Sequence, residues 1–228
     1  MALPVAASGG RVEAAVFAAL IVLGLLLDQS VTWGQIAVDA VIWVVFAERL
    51  VRADRDERVV LVACLVWATL GECFLSLVWG LYDYRLGNLP LFVPPGHVLL
   101  LRLGMHVALR VPERLAWAVP LVAAPLVVWQ CVAGIDVLGV TLFAVLLLAM
   151  WRGRARRLYA VMFLLAWLME LWGTWLGNWT WRGSVPWLGW PMQNPPLAAG
   201  AFYCLLDALV MTTAHLVRRR PGYGAPLP

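Results

Sequence analysis

The sequence predicts an all-α integral membrane protein with about eight transmembrane helices, arranged as two parallel four-helix repeats. Three observations predict this fold class: an apolar composition, arginine clusters that alternate with apolar runs, and polar landmarks that recur along the chain. Hydrophobic residues make up 63% of the 228 positions and charged residues 13%, whereas soluble domains average about 45–50% and about 25%. This composition excludes an ordinary soluble domain.

Apolar runs long enough for spanning helices follow one another through the chain. A span needs about 20 mainly apolar residues, and we expect the first run to be a retained span rather than a cleaved signal peptide. The fourth and sixth runs are short, so a tilted, broken or re-entrant element there would leave six or seven full spans. The eight runs are residues 12–30, 33–50, 58–80, 95–110, 115–134, 136–151, 157–177 and 196–217.

The arginines between the runs predict the orientation. All 17 basic residues are arginine, so the chain has no lysine for Schiff-base chemistry. With eight spans drawn, the arginine clusters share one side, which the positive-inside rule makes cytoplasmic. We therefore expect a multi-pass protein of a bacterial-type inner membrane with both termini cytoplasmic, and no binding of nucleic acid. Among the arginines outside the runs, only Arg85 and Arg182 lie on the outer side.

Polar and proline landmarks recur at a nearly constant offset, which indicates an internal duplication. Asp136 follows Asp39 by 97 positions, and Glu170 follows Glu72 by 98. Four spans per copy would give both copies the same orientation, with an axis along the membrane normal. The predicted units are residues 1–114 and 115–217, followed by a disordered cytoplasmic tail at 218–228. The other matched landmarks are Tyr82 with Trp179, Tyr84 with Trp181, Arg85 with Arg182, Pro90 with Pro186, and Pro94-Pro95 with Pro195-Pro196.

Five of the carboxylates that fall inside apolar runs or at their edges are the candidate catalytic residues. A charge in hydrocarbon costs several kcal/mol, so each acid must face a partner, face a wet cavity or be protonated. We expect Glu72 or Glu170 to be a proton donor, with Asp39, Asp136 or Asp207 assisting water or orientation. The alternative is that these acids only bond to arginine or backbone between the helices.

Aromatic residues and arginines near the two glutamates are candidate substrate-binding residues. Rings beside a neutral acid suit the protonation of an alkene, because their faces stabilise a carbocation by cation–π attraction. A purely packing role for the rings is the alternative. The residues expected to form the substrate mouth are Tyr82, Tyr84, Arg85, Trp179, Trp181 and Arg182.

The fourth run also contains polar residues. Arg102 and His106 are four residues apart and therefore share one helical face, where Arg102 is either a counter-ion for a carboxylate or a residue that extends its guanidinium to an interface. Both are included among the candidate substrate-binding residues. His97 is expected at the membrane interface rather than as a ligand.

Motifs for metals, cofactors and nucleophilic catalysis are missing from the sequence. The four cysteines lie singly in apolar segments, and the three histidines have no H-x-x-x-H or E-x-x-H spacing, so we expect no metal site. Neither G-x-S-x-G nor a glycine-rich phosphate loop occurs. We expect chemistry without a cofactor.

One stretch resembles a known family. Glu72, followed by Gly80-x-Tyr82-x-Tyr84, then Gly87 and a Leu-Pro pair, resembles the E…G-x-Y-x-Y…P pattern of the membrane carotenoid 1,2-hydratases of the bisanhydrobacterioruberin hydratase type. The resemblance covers about 20 residues, and Glu72 lies about one helical turn closer to the tyrosines than in the family pattern. It implies the addition of water to a terminal isoprenoid double bond, without a redox cofactor.

These observations predict a membrane-embedded enzyme of isoprenoid, carotenoid or lipid metabolism that hydrates or cyclises an alkene. Its substrate would be an apolar isoprenoid or lipid from the surrounding membrane. Two alternatives from other classes remain: a small proton-coupled transporter, since duplicated bundles with paired acids suit alternating access, and a non-catalytic scaffold that binds pigment or lipid.

Overall fold

A computed structural model describes residues 10–153 and 155–219 of the chain. The described residues are helical except for the connecting loops and one short ladder, which confirms the all-α prediction. The predicted disordered tail lies outside the described residues from position 220 onward. Its first residue, Arg218, is instead the last residue of a helix.

Each predicted apolar run overlaps with a helix. The helices are α1 (Gly10–Ser30), α2 (Gly34–Arg52), α3 (Arg55–Glu72), α4 (Val93–Ala108), α5 (Glu113–Ala116), α6 (Ala118–Val132), α7 (Leu138–Arg152), α8 (Arg156–Leu176) and α9 (Gly200–Arg218). A π-helical turn, Cys73–Val78, continues α3. The strands are β1 (Tyr82–Tyr84) and β2 (Trp179–Trp181).

Five helical segments of the described chain are long and apolar enough to cross a membrane, which indicates a membrane-embedded protein. Eight spans were expected, but α4 has 16 residues and α7 has 15, and α2 carries charged side chains. Complete crossing by α2, α4 and α7 remains a prediction. The five segments are Gly10–Ser30, Arg55–Val78, Glu113–Val132, Arg156–Leu176 and Gly200–Arg218.

The ladder joins the loops that follow α3 and α8. Strands β1 and β2 are antiparallel, with Tyr82 opposite Trp181 and Tyr84 opposite Trp179. Side chains alternate between the two faces of a strand, and the central residues of both strands are exposed. All four aromatic rings therefore lie on one buried face of the ladder.

Helix α9 packs between α3 and α8, and α4 contacts α1, α3 and α8. Gly200 allows the close approach of α9 to α8, because a Cβ atom there would lie 2.3 Å from the Phe163 carbonyl oxygen. Small residues serve this purpose at helix interfaces in membranes. The helices α3, α4, α8 and α9 thus surround the buried face of the ladder.

Candidate active site

Glu72 lies at the point where α3 widens into the π-helical turn. Such turns are rare and frequently occur at functional sites. The carboxyl group is buried, and its Oε2 atom accepts hydrogen bonds from the Tyr82 hydroxyl at 2.8 Å and the Tyr84 hydroxyl at 2.7 Å. The tyrosine pair that the sequence marks as substrate-binding therefore binds the predicted acid directly.

The two tyrosine hydroxyls are held in their protonated form. Burial, together with the neighbouring Glu72, raises the pKa of Tyr82 and of Tyr84 well above the ordinary value. Both phenols therefore remain hydrogen-bond donors to the carboxyl group at any physiological pH.

Glu170 on α8 has an equivalent set of donors. Its Oε2 atom accepts from the indole Nε1 of Trp179 at 2.7 Å and of Trp181 at 2.9 Å, and its Oε1 atom accepts from the Tyr203 hydroxyl at 3.2 Å. Gly173 makes room for this arrangement, since a Cβ atom there would lie 2.1 Å from the Trp179 ring.

The two glutamates bind to the two strands in the same manner. Tyr82 follows Glu72 by 10 residues, and Trp179 follows Glu170 by 9. Across the ladder, the Tyr82 and Trp181 rings are 4.7 Å apart between centroids. The ladder thus brings together two acid–aromatic units that are about a hundred residues apart in sequence.

His97 connects the two acids, although the sequence placed it at the membrane interface. It lies in the first turns of α4 and is partly buried, with Nε2 at 3.4 Å from Oε1 of Glu72. Its ring stacks on Tyr203 with 5.0 Å between centroids and 8° between planes. Because Tyr203 bonds to Glu170, the contacts form a continuous chain from Glu72 through His97 and Tyr203 to Glu170.

The hydrogen bond of His97 Nδ1 determines the character of Nε2, the ring nitrogen that faces Glu72. Nδ1 lies 2.9 Å from the Val93 carbonyl oxygen, which can only accept, so Nδ1 carries a hydrogen. In the neutral ring Nε2 is then an acceptor. A stable contact with Glu72 therefore requires one proton, carried either by the carboxyl group or by the imidazolium.

Two cavities flank this group of residues. The smaller, of about 60 Å³, is bordered by α1, α2, α4 and α8. The larger, of about 270 Å³, lies between α3 and α9. Both are lined mainly by apolar side chains, and five residues line both: Glu72, Tyr82, His97, Glu170 and Tyr203.

The three aspartates lie elsewhere. Asp39 accepts a hydrogen bond from the Phe92 backbone N–H at 2.6 Å, and Asp136 accepts from those of Gly139 and Leu197 at 2.9 and 3.2 Å. These contacts hold the segments that precede α4 and α9. Asp207 is fully buried, lines neither cavity, and has no hydrogen-bond partner for its carboxyl oxygens among the described residues.

The two outer arginines occupy different environments. The Arg85 guanidinium donates two hydrogen bonds to Asp28 at the end of α1. It donates to the Asp28 backbone carbonyl at 2.6 Å and to the Asp28 carboxylate at 3.1 Å. Arg182 is half exposed and pairs with Asp83 at 3.3 Å. Neither lines either of the two cavities described above, and their role in a substrate mouth stays a prediction.

Arg102 and His106 belong to a separate ionic cluster. Arg102 pairs with Glu13 at 2.8 Å and also with Glu57, and His106 Nε2 lies 3.0 Å from Glu13. Arg49 also binds Glu13, at 3.1 Å. Arg102 is therefore a counter-ion, which was one of its two predicted roles. Its partners are acids on α1 and α3 that the sequence analysis did not identify as candidates.

Several residues of these clusters escaped prediction from sequence. Tyr203 is a single tyrosine in an apolar run, without a motif around it. The signal for His97 was its position directly after Pro94-Pro95-Gly96, in the segment that follows the two tyrosines. Glu13 was signalled only as an isolated acid at the start of an apolar run.

The site has the character of an intramembrane acid pair. Among the described residues, no group of three or more histidine, cysteine, aspartate or glutamate side chains is arranged to hold a metal ion. The fold and site define a class: a helical membrane-embedded protein with two hydrogen-bonded glutamates beside apolar cavities. No protein-family model, curated protein or solved structure matches the chain.

Proposed function

We propose that this protein is a membrane-embedded enzyme that protonates an alkene of an isoprenoid, carotenoid or other lipid, leading to hydration or cyclisation without a cofactor. The observation that carries the proposal is that Glu72 and Glu170 line the same two apolar cavities, with His97 beside them. Two acids within reach of one apolar ligand suit acid–base catalysis on that ligand.

Glu72 and His97 together act as the proton donor. Both tyrosine hydroxyls bond to Oε2 of Glu72, whereas Oε1 faces His97. The shared proton therefore lies on the side of the carboxyl group that the two tyrosines do not occupy. General acids of this kind contribute about 10²–10⁴-fold to a rate.

Glu170 acts as the carboxylate that stabilises the developing positive charge. Its Oε2 atom faces two indole N–H groups, which can only donate, so this oxygen cannot be the donor. The faces of Tyr82, Trp181 and Phe202, which line the larger cavity, add cation–π attraction.

The reaction is balanced in protons. Transfer from the Glu72–His97 pair to one alkene carbon forms a C–H bond and leaves a carbocation on the other carbon. In hydration, a water oxygen forms the C–O bond and its surplus proton returns to the pair. In cyclisation, a second double bond attacks the cation, and a carbon next to the new cation loses the proton that restores the pair.

The apolar lining of both cavities favours an enzyme over a proton-coupled transporter, because alternating access requires a polar path between the two sides. We further propose eight spans in two parallel four-helix repeats, in a bacterial-type inner membrane with both termini cytoplasmic. The arginine distribution supports this topology, and the matching bonds of Glu72 and Glu170 support the repeat. The resemblance around Glu72 supports a carotenoid hydratase as the particular activity.

The test is the pigment and lipid profile of a deletion strain complemented with the wild-type chain, with Glu72→Gln or with Glu170→Gln. We expect both variants to lose product by about 10²-fold or more. Glu113→Gln is the matched control, because the Glu113 side chain is 69% exposed and lies outside the site. Normal product from both variants, at wild-type protein levels in the membrane, would refute the proposal.

A further inference from the structure

The larger cavity is a groove between α3 and α9, here called the α3–α9 groove. Trp67, Gly71 and Phe74 line one wall, and Phe202, Leu205 and Leu209 line the other. Its volume of about 270 Å³ compares with about 60 Å³ for the cavity on the opposite side of the acids. An apolar cavity of about 150 Å³ is sufficient for benzene, so of the two cavities beside the acids the groove is the one with room for a longer chain.

The mouth of the groove is formed by exposed apolar side chains on two candidate membrane spans. Phe74 and Leu205, on opposite walls, are each 47% exposed. Both belong to segments that are long and apolar enough to cross a membrane, Arg55–Val78 and Gly200–Arg218. A side opening between two such segments admits a molecule from the bilayer rather than from water.

The floor of the groove is polar and consists of the acid pair. Glu72, His97, Glu170 and Tyr203 line its inner end. A chain that enters between the helices therefore ends with its tip at the Glu72–His97 contact. The smaller cavity reaches the same polar residues from the other side and is large enough for a few water molecules.

We propose that the α3–α9 groove binds the apolar chain of a membrane lipid, which enters sideways from the bilayer and presents its end to the acids. The smaller cavity supplies water to the opposite side. The role of this route in catalysis rests on the proposed function. Binding of the lipid chain in the groove does not depend on that function.

Gly71 offers a means to close the groove. A Cβ atom at Gly71 would meet nothing within 4 Å, and because Gly71 lines the groove, we expect a larger side chain there to extend into it. Gly96 has the same property and lines the smaller cavity. Gly183 also has open space around its Cβ position and lines neither cavity.

The experiment is photo-crosslinking of the full chain in lipid nanodiscs with a fatty acid that carries a diazirine near the end of its chain. Labelled residues are located by mass spectrometry in the wild type and in Gly71→Leu, Gly96→Leu and Gly183→Leu. We expect labelling of residues 67–79 and 199–209 to fall at least five-fold in Gly71→Leu only. An excess of unlabelled isoprenoid alcohol should reduce the wild-type labelling to a similar degree.

Uniform labelling of all lipid-facing helices, unaffected by Gly71→Leu and by the competitor, would overturn the inference. Labelling concentrated on α1 and α2 would also overturn it. If Gly71→Leu does not accumulate, the competition experiment on the wild type decides alone. Specific labelling together with an unchanged product profile in the glutamate variants would reject the enzyme and leave the lipid site intact.

Discussion

Tyr82 and Trp181 face each other across the ladder, and each donates a hydrogen bond to a different glutamate. Their rings lie 4.7 Å apart between centroids. This single pair therefore fixes the position of one acid relative to the other, although Glu72 and Glu170 are on different helices. Displacement of either ring should affect both acids.

The hydroxyl of Tyr82 should stabilise the fold mainly through the charge on Glu72. A hydrogen bond to a charged group contributes about 1.5–3 kcal/mol, and one to a neutral group about 0.5–1.5 kcal/mol. We expect Tyr82→Phe to lower the free energy of unfolding by about 1.5–3 kcal/mol, the range for a bond to a charged group. The measurement is denaturation in detergent. The same change in a Glu72→Gln background should cost less, because the acceptor is then uncharged.

Equal costs in the two backgrounds would show that the carboxyl group is neutral in the resting protein. The proton would then lie on Glu72 rather than on His97. The matched control is Trp181→Phe, which removes one indole donor from Glu170 and keeps a ring against Tyr82.

The sequence predicted the helical class and the two acid–aromatic units, because both depend on local patterns. Apolar runs form helices wherever they occur in a membrane, and an acid followed by aromatic-x-aromatic-Arg occurs twice. The predicted helices correspond closely to those in the structure. Among the described helices, five segments rather than eight have the length and hydropathy that a full crossing needs, because α2 is charged and α4 and α7 are short.

Contacts between distant parts of the chain were beyond the sequence. Tyr203 reaches Glu170 from 33 positions away, and Arg102 reaches Glu13 from 89 positions away. The packing of α4 and α9 decides these pairings, and spacing within one helix carries no information about a partner on another. For the same reason, the sequence allowed Arg102 to be the counter-ion of a carboxylate but did not identify which carboxylate.

Replacement of His97 should separate catalysis from folding. His97→Phe keeps a ring stacked against Tyr203 and removes both ring nitrogens. We expect product formation to fall by about 10²–10⁴-fold, since a proton donor is lost, while the apparent melting temperature in detergent changes little. Activity is measured as product per unit of membrane-inserted protein.

His215→Phe is the matched histidine control, because His215 lies on the same side of α9 as Met211 and Thr212, near α7, and lines neither site cavity. Full activity of His97→Phe would contradict a shared proton between His97 and Glu72. Loss of both activity and accumulation would point instead to a structural role for the ring.

Gly173 should tolerate no side chain. A Cβ atom there would lie 2.1 Å from the Trp179 ring, so Gly173→Ala must displace the indole that donates to Glu170. Overpacking of this kind costs about 1–3 kcal/mol, which corresponds to a fall of about 2–4 °C in melting temperature per kcal/mol for a chain of this size. Gly183→Ala, with open space around it, is expected to change the melting temperature by less than about 1 °C.

Trp179→Phe distinguishes displacement of the Trp179 indole in Gly173→Ala from a general loosening of the fold. Trp179→Phe removes the indole N–H without a clash, and its effect on activity should equal that of Gly173→Ala if both act through Glu170. A Gly173→Ala variant with normal activity and stability would show that the Trp179 indole can move aside without leaving Glu170.

Arg102 should be needed for folding and not for substrate binding. Its guanidinium is buried between Glu13 and Glu57 and lines neither cavity. Removal of one member of a buried ionic group costs about 3–5 kcal/mol, because the remaining charges lose their partner. We expect Arg102→Gln to reduce the amount of protein in the membrane severely, measured by immunoblot of membrane fractions, whereas Arg152→Gln should have no effect because Arg152 is exposed.

Joint replacement of Arg102 and its two acidic partners provides the decisive comparison. Replacing a buried ionic group by well-packed hydrophobic residues of similar volume is often neutral or stabilising. Arg102→Met combined with Glu13→Met and Glu57→Met should therefore restore the accumulation that Arg102→Gln removes, since Arg49 keeps its pairing with Glu48. Restored protein should then make product normally, since Glu72, His97 and Glu170 remain in place. If the triple variant accumulates but is inactive, Arg102 acts on the substrate, as the sequence-based assignment to substrate binding requires.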